Sequence, residues 1–177
     1  MTNVIIFHGT DCNPNLFWYP YIKKKLEKKG YEVSVPHLPN SKEADIKDWL
    51  PFVLKNYKIN EETILIGHSA GSPFILSVLE NINCKIKQAI LVAGFLDLDS
   101  KILQKSYNWE KIKNNSEDFI IINSDNDPWG CDDKQGRKIF DKIGGKLIIL
   151  HGEGHMGSIT HKQPYLEFPF LLKLISD

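Results

Sequence analysis

The chain has 177 residues, 42% of them hydrophobic, and balances 22 basic against 22 acidic side chains. That length suits one core, so residues 1–177 are expected to form a single domain with no room for a second. A formal net charge of zero gives no general field for nucleic acid or an acidic membrane, and neither is expected as a partner.

The three cysteines, Cys12, Cys84 and Cys131, form no C-x-x-C pair and no zinc-ligand spacing. Reduced thiols in a cytoplasmic protein fit this usage, with Cys131 in a polar, exposed loop and no nucleophilic role. The N-terminal apolar run, residues 4–7, is too short for a signal segment. No run reaches the roughly 20 apolar residues of a membrane span.

In chain order, the first apolar run is VIIF (4–7), and FWYPYIKKKLEKK (17–29) follows with helical spacing, stopping at Gly30. Its lysines read as a solvated helix face. YEVSV (31–35) is the second strand. Pro51 lies inside the helical pattern that follows and marks a kink or a late helix start. TILIG (63–67) leads into SPFILSVLENI, a strand and then a helix, and QAILVAG (88–94) is the fourth strand. Residues 96–118 are the longest non-periodic stretch; NWEKIKNN within them reads as a short helix, and the stretch is too short for a lid domain. FIIIN (119–123), the helix DDKQGRKIFDKI ending at Gly144-Gly145, KLIIL (146–150) and a C-terminal helix in PYLEFPFLLKLIS, with Pro169 as a kink or late start, complete the pattern.

Continuous Ile- and Val-rich runs are the signature of strands buried on both faces, and strand–helix alternation requires right-handed crossovers. The expected architecture is an α/β three-layer sandwich of about six mostly parallel strands with helices on both faces. With the second strand outside the first and the third inside, the order becomes 2-1-3-4-5-6. The ligand crevice then falls between the first and third strands, at their carboxyl ends.

Gly67-His68-Ser69-Ala70-Gly71 has the form G-x-S-x-G and sits between TILI and SPFILSVL. A nucleophilic serine has to be pushed out of the sheet by a sharp strand-to-helix turn, and that turn leaves no space for side chains beside it. The two glycines meet this need. A serine in a glycine-flanked junction is also common in α/β proteins without catalysis, so the later loops decide. Serine needs a base oriented by a carboxylate, expected after later strands in the order acid, then histidine. SDNDPWG after FIIIN offers Asp125 and Asp127; HGEGHMG after KLIIL offers His151 and His155.

Asp127 is favoured because Pro128 holds its backbone extended at the loop tip, whereas Asp125 braces or caps the turn. His155, after Gly154 and well beyond the strand, is favoured over His151. Of the remaining histidines, His8 and His68 read as packing or bracing residues and His161 as a surface one. The oxyanion hole takes the N–H of Ala70 at the helix N-terminus and a second N–H from FHGTDCN, from Thr10 or Asp11. Aromatic and thioether side chains near these loops, Trp18, Trp129, Tyr107 and Met156, are candidates for the substrate rim, with packing as the alternative for each. No metal and no cofactor are expected.

These residues resemble the small α/β-hydrolase-fold serine hydrolases typified by retinoblastoma-binding protein nine and YdeN. The segments that carry the likeness are HGT, FWYPYIKKKLEKKGYEV, WLPFVLKNYKINEETILIGHSAG, NWEKIKNN, NDPW and GEGHMG, nearly the whole chain. The resemblance implies Ser69, Asp127 and His155 as nucleophile, acid and base, and a hydrolase sheet without the usual first antiparallel strands or a large cap. It does not extend to a retinoblastoma-binding L-x-C-x-E segment, which this sequence lacks. The expected function is hydrolysis of a small carboxylic ester, with amide or peptide bonds as further substrates, through an acyl-enzyme. An acyltransferase, or a protein-binding module of marginal activity on the same fold, are the alternatives.

Overall fold

A computed structural model describes residues 2–175. The six apolar runs become six strands: β1 (Asn3–Phe7), β2 (Glu32–Ser34), β3 (Thr63–His68), β4 (Gln88–Val92), β5 (Phe119–Ser124) and β6 (Lys146–Leu150). All neighbours are parallel, in the order β2-β1-β3-β4-β5-β6. The register sets Phe7, Gly67, Leu91, Ile121 and Leu147 side by side across five strands. The loops after β1, β3, β5 and β6 therefore leave one edge of the sheet together.

Between the strands run α1 (Tyr19–Glu27), α2 (Ile46–Asn56), α3 (Gly71–Asn81), α4 (Trp109–Asn114) and α5 (Asp133–Ile143), and α6 (Pro169–Leu172) follows β6. Right-handed crossovers put α1, which steps outward from β1 to β2, on one face, and α2 to α5, which step the other way, on the opposite face. The contacts follow this division: α1 touches α6, while α2, α3, α4 and α5 touch in succession. Residues 71–79 of α3 are buried all round, as a helix in the middle of such a layer has to be.

Two expectations need correction, a late helix start at Pro51 and the burial of the last strand on both faces. The α2 helix runs through Pro51, because the Asp45 side chain caps its start on the Lys47 N–H (2.9 Å) and the buried Trp49 and Val53 hold both sides of the proline. At Pro169 the expected late start holds: the C-terminal helix begins there and covers residues 169–172, because Pro169 biases Phe168 away from helical backbone, and Phe168 is extended in φ (−139°). β6, read as buried on both faces, is an edge strand with Ile149 41% exposed, since only β5 pairs with it. No helix among the described residues is long and apolar enough to cross a membrane.

Candidate active site

Ser69 sits between the last residue of β3 and the first of α3 with φ +54°, a left-handed conformation that costs a non-glycine residue about 1 kcal/mol or more. The neighbourhood enforces it. The Ser69 N–H donates to the Val92 carbonyl of β4 (2.9 Å), and the Ser72 hydroxyl is held by the carbonyls of Gly67 and Val92 (2.9 and 2.8 Å). A Cβ on Gly67 would lie 2.2 Å from the Gly71 carbonyl oxygen, and one on Gly71 would lie 2.2 Å from that of Phe7. Both glycines of G-x-S-x-G are thus required by backbone against backbone, one within the turn and one between α3 and β1.

The loop after β1 presses on the serine from the other side, where a Cβ on Gly9 would meet the Ser69 Cβ at 2.9 Å. Of the two candidate N–H donors in this loop, that of Asp11 is already taken by the Ser41 carbonyl (2.8 Å). The N–H groups of Thr10 and Ala70 have no partner among the described residues.

His155 and Asp127 come together as a buried pair, Nδ1 to Oδ2 2.7 Å, with side chains 7% and 0% exposed. A carboxylate only accepts, so Nδ1 carries the proton and Nε2 of the neutral ring keeps its lone pair. The other Asp127 oxygen accepts the Trp129 N–H (2.8 Å), which fixes the carboxylate on the NDPW turn. Asp125 and His151 form a separate pair (2.5 Å) with the His151 side chain 96% exposed. Asp125 also accepts the Gly152 N–H, and that bond together with His151 holds its carboxyl below the usual range. It braces the two loops from outside, as the sequence suggests.

Several positioning residues escape the sequence patterns. The Gln163 side chain receives the His155 N–H (2.9 Å) and donates to the Glu153 carbonyl (2.7 Å), while Asn126 accepts from Gly154 (2.8 Å) and Ser124 from Glu153 (3.0 Å). His68 lies behind the serine with Nε2 2.8 Å from the His155 carbonyl and Nδ1 2.6 Å from the Tyr19 hydroxyl. Since the carbonyl accepts, Nε2 carries the proton and Tyr19 donates to Nδ1. Burial, and next the neighbouring His155, lower the His68 pKa to about 3. His8 is also buried and neutral, its pKa lowered to about 4 chiefly by desolvation; its Nδ1–H donates to Gly9 and its Nε2 accepts from Leu38.

A cavity of about 490 Å³ opens at this point, and Thr10, Ser69 and His155 line it. Phe17, Phe95, Leu98 and Ile159 form its apolar walls, with Trp129 at a half-exposed position. The other candidate rim residues are elsewhere. Trp18 is fully buried and donates to the Met156 carbonyl (2.9 Å), Met156 is itself buried, and neither lines the cavity. Both support the His155 loop from beneath, because the first helix packs against it. Tyr107 is also outside the cavity, its ring tilted against that of Trp109 with centroids 4.9 Å apart. Cys131, expected on an exposed loop, is 2% exposed and lines the cavity. Its carbonyl is drawn inward by the Asn123 side chain (2.8 Å).

A six-stranded parallel sheet with this elbow at the end of β3 defines an α/β hydrolase. Residues 4–174 match the family model described as serine hydrolase. The chain is 30% identical to YdeN of Bacillus subtilis over 133 residues, 70% of either chain. It is 30% identical to the serine hydrolase RBBP9 of Rattus norvegicus over 149 residues, 78% of this chain and 77% of that one. The crystal structure of the B. subtilis ydeN product superimposes with a TM-score of 0.90, at 24% identity over 98% of this chain and 96% of that one. Est1E from Butyrivibrio proteoclasticus, in a structure with ferulic acid bound, shares the fold at a TM-score of 0.70 and 12% identity, over 98% and 89% of the two chains. The chain belongs to the serine hydrolase family and is an enzyme.

Proposed function

We propose that the enzyme hydrolyses small carboxylic esters through Ser69, His155 and Asp127. The observation that carries this reading is the buried His155–Asp127 pair beside a cavity shared with Ser69 and Thr10. Ser69 Oγ attacks the ester carbonyl while His155 Nε2 takes its proton. Asp127 keeps the imidazole in the tautomer that leaves Nε2 free and stabilises the imidazolium that forms. The N–H groups of Ala70 and Thr10 receive the tetrahedral oxyanion, each lowering the barrier by about 3 to 4 kcal/mol. His155 returns the proton to the leaving alkoxide, and water, activated by the same nitrogen, releases the acid from the acyl-enzyme.

The apolar walls and limited volume of the cavity favour a short or compact acyl group. Labelling with a fluorophosphonate, followed by turnover of a p-nitrophenyl ester series, tests the reading. The native protein is expected to label and to turn over the short esters, and Ser69→Ala to do neither. A folded native protein that does not label, or a mutant that labels equally, overturns it.

A further inference from the structure

We propose that Asp127, Cys131 and His155 form an inhibitory site for a thiophilic divalent cation, Zn2+ or its analogue Cd2+. The inference rests on the role given above to His155. The carboxylate oxygen, the thiol sulfur and the imidazole nitrogen lie within 4.8 Å of one another, and all three residues are buried. Cys131 and His155 also line the cavity, which gives an ion a route inward and a water as fourth ligand.

The donor set matches zinc: one sulfur, one nitrogen and one carboxylate oxygen, with bonds of about 2.0 to 2.3 Å. Tetrahedral geometry at those lengths separates ligand atoms by about 3.3 to 3.6 Å, so on binding the Asp127–His155 pair opens from its 2.7 Å contact while the Cys131 sulfur closes on both. Asp127 and Cys131 flank a turn in which the Gly130 N–H bonds back to Asp127 (3.1 Å), and rotation of the Cys131 side chain is the shortest way to close the gap. Charge also balances, since a thiolate and a carboxylate cancel a divalent cation beside a neutral ring. In the metal-free protein, burial and then the Asp127 and Asp132 carboxylates push the Cys131 thiol well up, so it is protonated. The carboxylates that oppose a thiolate are the ones that attract a cation.

The proton balance explains inhibition. The ion displaces the Cys131 thiol proton, which leaves to water. It also takes the His155 Nδ1 lone-pair position, so the ring proton moves to Nε2. That is the nitrogen that has to be unprotonated to accept the Ser69 proton, and Asp127 is withdrawn from its partner at the same time.

The test titrates Zn2+ and Cd2+ into the intact enzyme. Binding is read by the ultraviolet thiolate-to-cadmium charge-transfer band, and function by fluorophosphonate labelling relative to each variant's own metal-free rate. The expected result is a cadmium band, loss of labelling restored by chelator, and at least about a tenfold higher inhibitory concentration in Cys131→Ser and Cys131→Ala. Absence of the band in the native protein, or equal inhibition of the Cys131 variants, overturns the site. Inhibition lost in His151→Ala instead also overturns it, by placing the ion on the exposed Asp125–His151 pair. A band that requires Cys131 while labelling persists leaves the metal site standing and overturns the role of His155 as base.

Discussion

The imidazole of His68 hydrogen-bonds through Nε2 to the backbone carbonyl of His155 at 2.8 Å, joining the variable position of G-x-S-x-G to the loop that follows β6. The far side of the same ring takes the Tyr19 hydroxyl at 2.6 Å. One buried chain of bonds therefore runs from α1 through the elbow to the histidine assigned as base. Tyr19→Phe removes the donor and leaves Nδ1 of His68 buried without a partner, a cost of about 1 to 3 kcal/mol in stability. The expected outcome is a lower kcat at nearly unchanged KM, because the hydroxyl does not line the cavity. Urea denaturation and steady-state ester kinetics measure the two effects; a changed KM with intact kcat contradicts this positioning role.

Two buried neutral histidines make the fold acid-sensitive. The folded pKa values of His68 and His8, about 3 and about 4, lie below the unfolded value of 6.5. The unfolded chain therefore binds protons that the folded chain refuses, and the stability present above pH 6.5 is lost as the pH falls toward 4 and 3. At pH 5 each group removes roughly 2 kcal/mol, about 4 kcal/mol together. The exposed His151, raised by its bond to Asp125, works in the opposite direction, losing its small contribution as the pH rises. Urea midpoints at pH 7.5 and 5.0 are expected to differ accordingly, and equal midpoints contradict the burial of both rings as neutral species.

The sheet order, the elbow and the Asp127–His155 pairing were legible because each depends on local signals: apolar runs, glycines around a serine, and polar loops after strands. What was not legible depends on contacts between distant segments. Trp18 sits near the catalytic loops in sequence, yet α1 turns it inward to the Met156 carbonyl, 138 residues away. Cys131 lies among polar residues, but Asn123 pulls its backbone into the cavity wall. Gln163 has no motif of its own; its role exists only because the chain folds back antiparallel at Ser158 and Gln163. No local pattern around Thr10 and Asp11 announces that the Asp11 N–H is taken by the distant Ser41 carbonyl.

The two kinds of glycine in the chain predict opposite tolerances. Gly71→Ala would set a methyl 2.2 Å from the Phe7 carbonyl oxygen, backbone that cannot retreat without breaking the β1–β3 pairing. A loss of about 4 kcal/mol or more is expected, with the elbow displaced and labelling abolished. Gly144→Ala meets no atom within 4 Å and suffers only its positive φ of 74°. With ψ at −147° the residue lies outside the left-handed helical basin, in a region essentially reserved for glycine, so a loss of about 1 to 3 kcal/mol is expected with labelling intact. Thermal melts of the two variants, read beside fluorophosphonate labelling, separate steric from conformational cost.

The two aspartates of SDNDPWG give the sharpest functional contrast. Asp127→Asn keeps the shape of the side chain, but an amide can present its N–H₂ to Nδ1 and favour the tautomer with the proton on Nε2. A fall in kcat of about 10³- to 10⁴-fold is expected, with folding largely preserved. Asp125→Asn touches only the exposed brace, where solvent screens the ion pair and an amide oxygen still accepts the Gly152 N–H, so kcat is expected to change by less than about fivefold. Steady-state kinetics of both variants on one p-nitrophenyl ester decide between the pairs. Should Asp125→Asn prove the more damaging, catalysis runs through the outer aspartate and the assignment of Asp127 fails.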